Sequence, residues 1–186
     1  TMVSPKDVMP DAVYSFQWRR RLFEVSAKGV LSVNGNLNGP YQLDLFFDNT
    51  DWIEKLCVGE EDNDLLFVGE VVHDGARNGF AARLERSGPM KKWLTSIPRS
   101  NVGIARVEAG YLYVSATGFI GKIDLATGSY KWRHADLEQQ NEAYKSFGLP
   151  RVEGSSVIFI GTKSYQDNEI VVDDHFGRFI KFRTSS

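Results

Sequence analysis

Gly121-Lys122-Ile123-Asp124-Leu125-Ala126-Thr127-Gly128-Ser129-Tyr130-Lys131-Trp132 reads as a strand, a tight turn and a second strand that carries a tryptophan. Just upstream, Tyr111-Leu112-Tyr113-Val114-Ser115 is a short aromatic and β-branched run bounded by polar residues and glycine, the composition of a strand. Ala126-Thr127-Gly128 supplies the turn, where glycine takes the positive φ that a short connection needs. Asp124, four residues before Gly128, can accept hydrogen bonds from the backbone N–H groups of that turn.

The same elements recur on both sides of this stretch. Leu65-Leu66-Phe67-Val68-Gly69 precedes Ala82-Arg83-Leu84-Glu85-Arg86-Ser87-Gly88 and then Lys92-Trp93. Val157-Ile158-Phe159-Ile160-Gly161 precedes Val172-Asp173-Asp174-His175-Phe176-Gly177. The openings agree too, Arg106-Val107-Glu108-Ala109-Gly110 against Arg151-Val152-Glu153-Gly154-Ser155. The weakest copy sets Gly29-Val30-Leu31-Ser32-Val33 and Leu43-Asp44-Leu45-Phe46-Phe47 ahead of Trp52. Trp18, Trp52, Trp93 and Trp132 stand 34, 41 and 39 residues apart, so each indole is expected to pack between neighbouring sheets at an equivalent place. Antiparallel units of about 40 residues that stack face to face are the pattern of propeller blades.

The stretch from Gly121 to Trp132 resembles the repeat of the PQQ-type, quinoprotein-like β-propellers, in which a strand ends in an Asp-x-x-Thr-Gly turn and the next strand carries a docking Trp. The resemblance runs from Leu65 to Phe182 and fades before that, and the structural residues of the repeat are Trp52, Trp93, Asp124, Thr127, Gly128, Trp132, Asp173 and Gly177. The copy ending at Trp93 has lost the Asp and Thr, and the last copy puts Lys181 or Phe182 where the Trp should stand. Quinoprotein dehydrogenases of that superfamily use a full ring of blades, a quinone, a calcium ion and often a pair of adjacent cysteines. This chain has one cysteine and no matching ligands, so no catalytic, cofactor or metal residue is carried over. The expected fold is all-β, a single domain over 1–186 with repeats near 19–58, 59–98, 99–150 and 151–183, forming a four-bladed or partial propeller. One short helix is expected near 136–147, capped by Asp136, ended by Gly148 and Pro150, with Leu137, Tyr144 and Phe147 on one face.

Composition limits the function classes. The 186 residues are 42% hydrophobic, enough to bury a core without disulfides. With 22 basic and 24 acidic side chains, a formal charge of −2, the chain lacks the concentrated basic face that nucleic acid requires. Arg19-Arg20-Arg21 and Lys91-Lys92 read as solvated strand edges. Cys57, between Leu56 and Val58, reads as a buried and inert thiol. No stretch reaches the apolar length of a membrane span. Thr1-Met2-Val3-Ser4-Pro5 shows no charged leader before an apolar run, which favours the cytoplasm, with the periplasm open had a leader been removed.

Each candidate for chemistry has a plainer reading. His73-Asp74-Gly75 and Asp174-His175-Phe176-Gly177 fall at turns, where Asp and Gly belong for backbone reasons, and no nucleophile elbow accompanies them. Glu60-Glu61-Asp62-Asn63-Asp64 lacks the alternation of a calcium loop and reads as a solvated connection between strands. There is no phosphate-cradling loop and no dinucleotide fingerprint. The expected function is therefore a non-catalytic protein-binding module, with a bacterial inhibitor or immunity protein that blocks a toxin as one form of it. A carbohydrate- or small-ligand-binding lectin-like domain and a fragment of a quinoprotein-like enzyme are the alternatives. Partner contact is expected on two long loops, Val71 to Asn78 with His73, Asp74 and Arg77, and Lys163 to Glu169 with Tyr165, Asp167 and Glu169.

Overall fold

A computed structural model describes residues 12–18, 21–33, 41–42, 51–85, 91–139, 142–145 and 147–184. The chain forms two compact units, Thr1–Ser96 and Ile97–Ser186. Both are built from antiparallel meanders, and no helix occurs among the described residues.

In the first unit one sheet runs β1 (Ala12–Trp18), β2 (Arg21–Ser26), β3 (Val30–Val33) and β4 (Tyr41–Gln42). The other runs β5 (Trp52–Glu61), β6 (Asp64–His73), β7 (Ala76–Leu84) and β8 (Lys91–Ile97). Strand β6 is buried from Asp64 to Val72, as a central strand covered on both faces should be. Phe23, Val25 and Leu31 of the first sheet meet Ile53, Leu56, Phe67, Phe80 and Leu84 of the second in one core. Phe67 is fully buried, worth roughly 2–3 kcal/mol of apolar transfer.

The second unit holds the sheet β9 (Arg106–Glu108), β10 (Tyr111–Ala116), β11 (Phe119–Asp124) and β12 (Tyr130–His134), then a two-stranded piece, β13 (Glu138–Gln139) and β14 (Glu142–Ala143). It ends with the sheet β15 (Arg151–Glu153), β16 (Ser156–Lys163), β17 (Gln166–Asp173) and β18 (Phe179–Thr184). Tyr113, Ile120 and Trp132 pack with Val157, Phe159, Ile170 and Val172 of the last sheet.

Three expectations are corrected here. The segment 136–147 is not a helix in its described residues: Glu138 pairs with Ala143 and Gln139 with Glu142. Its backbone groups bond to other strands instead of four residues back, with Leu137 N–H donating to Gly118 O at 2.9 Å and Lys145 N–H to Thr162 O at 2.8 Å. Leu137, Tyr144 and Phe147 are buried as their apolarity demands, by wedging into the core of this unit. Cys57 is exposed, because a bulge between Ile53 and Lys55 resets the alternation of β5 so that Leu56 points in and Cys57 out. The acidic run is a tight turn at Asp62-Asn63, both at positive φ, and its last residue is not solvated. Asp64 is buried against Arg83 at 2.8 Å and Lys92 at 2.6 Å. Burial pushes its carboxyl up, but the hydrogen bonds and charges of Lys92 and Arg83 outweigh this and hold it below 3.8.

Candidate functional site

The β11–β12 and β17–β18 turns have the same construction. Gly128 N–H donates to Asp124 O at 2.7 Å, and Gly177 N–H to Asp173 O at 2.8 Å. The aspartate carboxylates hold the turns from inside: Asp124 accepts from Ala126 N–H at 2.8 Å, Asp173 from Phe176 N–H at 2.7 Å and Arg178 N–H at 2.6 Å. The Phe176 amide is the leading reason that the Asp173 carboxyl sits below its usual 3.8. Thr127 adds a bond from Ser129 N–H to its hydroxyl at 3.2 Å.

Trp132, buried on β12, docks onto the second of these turns. Its Nε1–H donates to Asp174 O at 3.0 Å, and its ring meets Phe159 edge-on with centroids 6.3 Å apart. Gly177 lies flat under the indole, where a Cβ would come within 2.4 Å of the ring, and its φ of 73° is one that glycine favours. His134 Nε2 bonds the Gly177 carbonyl at 2.5 Å, which requires the proton on Nε2.

Beside this joint lies a cleft of about 410 Å³. Lys122 and Asp174 of its lining belong to a part-buried cluster: Lys122 Nζ donates to Asp174 Oδ1 at 2.9 Å and Asp174 O at 2.8 Å, and Tyr113 OH, behind the lining, donates to Asp174 Oδ1 at 2.5 Å. Burial, then the Asp174 bond, pushes the Tyr113 phenol well above its usual range, so it stays a proton donor. The Lys122 ammonium also stands 4.1 Å from the Tyr111 ring centroid, a cation–π contact. Ser155, His175, Phe176 and Arg178 complete the rim. Of these residues the sequence points to Asp173, Asp174 and His175 as turn residues, and to Tyr111, Tyr113 and Phe176 as aromatics that read as core or as a stacking platform. Lys122 is hidden by strand patterning, although a lone lysine inside Phe-Ile-Gly-Lys-Ile is the signal that points to a buried partner.

The remaining expected residues are dispersed. The two expected long loops are tight hairpins, since β6 runs to His73 and β7 starts at Ala76, while β16 runs to Lys163 and β17 starts at Gln166. His73 Nδ1 lies 2.7 Å from the buried Asp51 carboxylate, Asp74 is exposed, and Arg77 sits 3.6 Å from Glu54. Tyr165 projects from the β16–β17 tip, and Asp167 accepts from the Thr162 hydroxyl at 2.9 Å. Glu169 is buried within β17, bonded to Arg183 with Arg151 at 3.4 Å, and the Arg183 bond holds its carboxyl below the usual range. Trp93 is buried on β8, the last strand of its sheet, as Trp132 is on β12. Trp52 departs from them: it opens β5, the first strand of its sheet, is 39% exposed and bonds Glu54 at 2.8 Å. The turn at Arg86-Ser87-Gly88 lies outside the described residues, as do Arg19 and Arg20.

The backbone is similar to that of a quinohemoprotein alcohol dehydrogenase, ADHIIG of Pseudomonas putida HK5. The likeness has a TM-score of 0.55 at 17% identity, and covers 73% of this chain and 22% of that one. It speaks to fold alone. The computationally designed Ika8 protein matches over 95% of this chain and 88% of its own at 9% identity, with a TM-score of 0.34, too low to carry an argument. No protein-family model and no curated protein matches the sequence. Among the described residues no three His, Cys, Asp or Glu side chains group as a metal site, and no helix is long and apolar enough to cross a membrane.

Proposed function

We propose that this chain is a divergent member of the PQQ-type β-propeller family, its meanders serving as blades of a non-catalytic, protein-binding scaffold. The observation that carries the reading is Tyr165. It occupies a two-residue hairpin turn with Ser164, at φ 60° and 51°, a conformation suited to Asn or Gly. A bulky residue held there costs about 1–2 kcal/mol. The ring lies fully in solvent, so no burial offsets that cost. A local rule broken without a folding gain points to function, and a rigid amphipathic tyrosine is a frequent anchor of protein interfaces. The polar groups of the Lys122–Asp174–Tyr113 cluster, by contrast, are engaged with one another and stabilise the joint between two sheets.

Tyr165→Asn tests this. The variant is expected to be more stable than the parent by about 1 kcal/mol in urea titration, yet to bind the co-purified native partner at least about tenfold more weakly. Equal partner binding by both proteins would sink the reading. Assaying the partner's own activity in the complex then separates an inhibitor, such as one that silences a toxin, from a passive scaffold.

A further inference from the structure

The cleft beside the Asp173–Gly177 turn lies at the opposite end of β17 from Tyr165, and partner binding through the hairpin makes no use of it. We propose that it is a binding site for a single neutral pyranose ring, either a free sugar or the end of a glycan. Its volume of about 410 Å³ falls in the lower part of the roughly 300–1,000 Å³ span of small-molecule sites, which suits one sugar ring with its hydroxyls.

Charge selects the ligand class. Lys122 faces Asp174 at 2.9 Å and Arg178 faces Asp173 at 3.5 Å, so two cations and two carboxylates balance within the lining. An anion entering here meets the two carboxylates, and a cation meets the lysine and the arginine. A hydroxyl is both donor and acceptor, and a polyol can therefore use this alternating wall without bringing in charge of its own. Arg178 and His175 supply outward-facing polar groups, with Ser155 beside them. Phe176 supplies the apolar counterpart. It is 61% exposed, on a turn whose geometry requires aspartate and glycine but no aromatic residue. The His175 ring lies against it with centroids 4.1 Å apart, and the Arg178 guanidinium stands 5.3 Å from its centroid. The exposed remainder of the ring is apolar surface for the C–H face of a sugar.

The wall is also set before any ligand arrives. Asp174 is held by Tyr113 and Lys122, Asp173 by two backbone amides, and the turn itself by the indole beneath which Gly177 lies. Fixed polar groups lose little freedom on binding, which favours even a small ligand.

The experiment is a titration of the full chain with methyl α-D-glucopyranoside, methyl α-D-mannopyranoside and methyl β-D-galactopyranoside, followed by amide NMR. Inorganic phosphate and tetramethylammonium serve as charged controls. At least one glycoside is expected to give saturable shifts centred on Tyr111, Lys122, Ser155 and residues 173–178, with a Kd of about 1 mM. Phe176→Ala and Arg178→Ala, both at exposed positions, should weaken it about tenfold, while Tyr165→Asn leaves it unchanged. Tighter binding of a disaccharide of the same sugar would identify a glycan end as the source, and equal binding a free sugar. The proposal is overturned if all three glycosides leave these amides unmoved at about 50 mM, if either charged control binds there more tightly, or if Phe176→Ala binds as the parent does.

Discussion

The two aspartate–glycine turns of the second unit are near-copies that do different things. Each has a carboxylate that accepts from backbone N–H and a glycine at φ 77° or 73°, and in each the strand that leads out carries a bulge, with Lys131 extra opposite Lys122 and Ile123, or Ile180 extra opposite Val171 and Val172. Beyond the turn they diverge. In the first, Trp132 pairs with Lys122 across the strands and reaches the next sheet. In the second, the register position of Trp132 belongs to Lys181, paired with Val171 and exposed. The turn is thus a local unit closed by its own backbone and carboxylate in both copies, whereas the tryptophan stands in the copy that has a further sheet packed against it.

The largest test of that contrast removes the side chains at the matching positions. Trp132→Ala should cost about 3–5 kcal/mol, since it opens a cavity between two sheets and removes one of the two hydrogen bonds to the Asp174 carbonyl. Lys181→Ala should stay within about 0.5 kcal/mol. The two compact units need not unfold together, so the readout is hydrogen exchange at Phe159 and Val172. Comparable losses in the two variants would remove the distinction.

A smaller effect separates the glycine's two reasons for being there. Gly110 and Gly177 both have positive φ, but a Cβ on Gly110 meets nothing within 4 Å, and one on Gly177 strikes the Trp132 ring. Gly110→Ala should cost about 1 kcal/mol, the backbone strain alone. Gly177→Ala should cost about 3 kcal/mol, strain plus displacement of the indole. Near-identical losses in a urea titration would mean that the ring moves aside freely.

These differences explain what could be read in the amino-acid order. Strand existence at Tyr111–Ala116 or Ser156–Lys163 and the turn at Asp124–Gly128 follow from composition a few residues long, and the structure has them. The misread 136–147 segment failed because Leu137, Tyr144 and Phe147 fit a helical face and a wedge into a β core equally well, and bonds to Gly118 and Thr162, distant in sequence, decided it. Trp52 failed because spacing alone does not say which strand of a sheet a residue starts or ends. The Lys122–Asp174–Tyr113 cluster joins residues up to 61 positions apart, beyond the reach of any local pattern.

The subtlest difference between the turns is electrostatic. Asp124 accepts from the Ala126 amide, while Asp173 accepts from the amides of both Phe176 and Arg178, which, with the Arg178 charge, draw its pKa below 3.8. A carboxyl whose folded pKa lies below its unfolded value adds stability that is complete above the unfolded pKa and fades as pH falls through the lower, folded one. The parent should therefore lose protection in the β17–β18 corner as pH falls from about 5 to about 2, and Asp173→Asn, which carries no titrating charge there, should show a flatter acid limb. Asp124→Asn should leave that corner's acid limb as steep as in the parent, because its carboxylate holds the other turn. If the acid limbs of the parent and Asp173→Asn superimpose in paired urea titrations, the ionised carboxylate is not what holds the second turn, and the difference between the two turns rests on the indole alone.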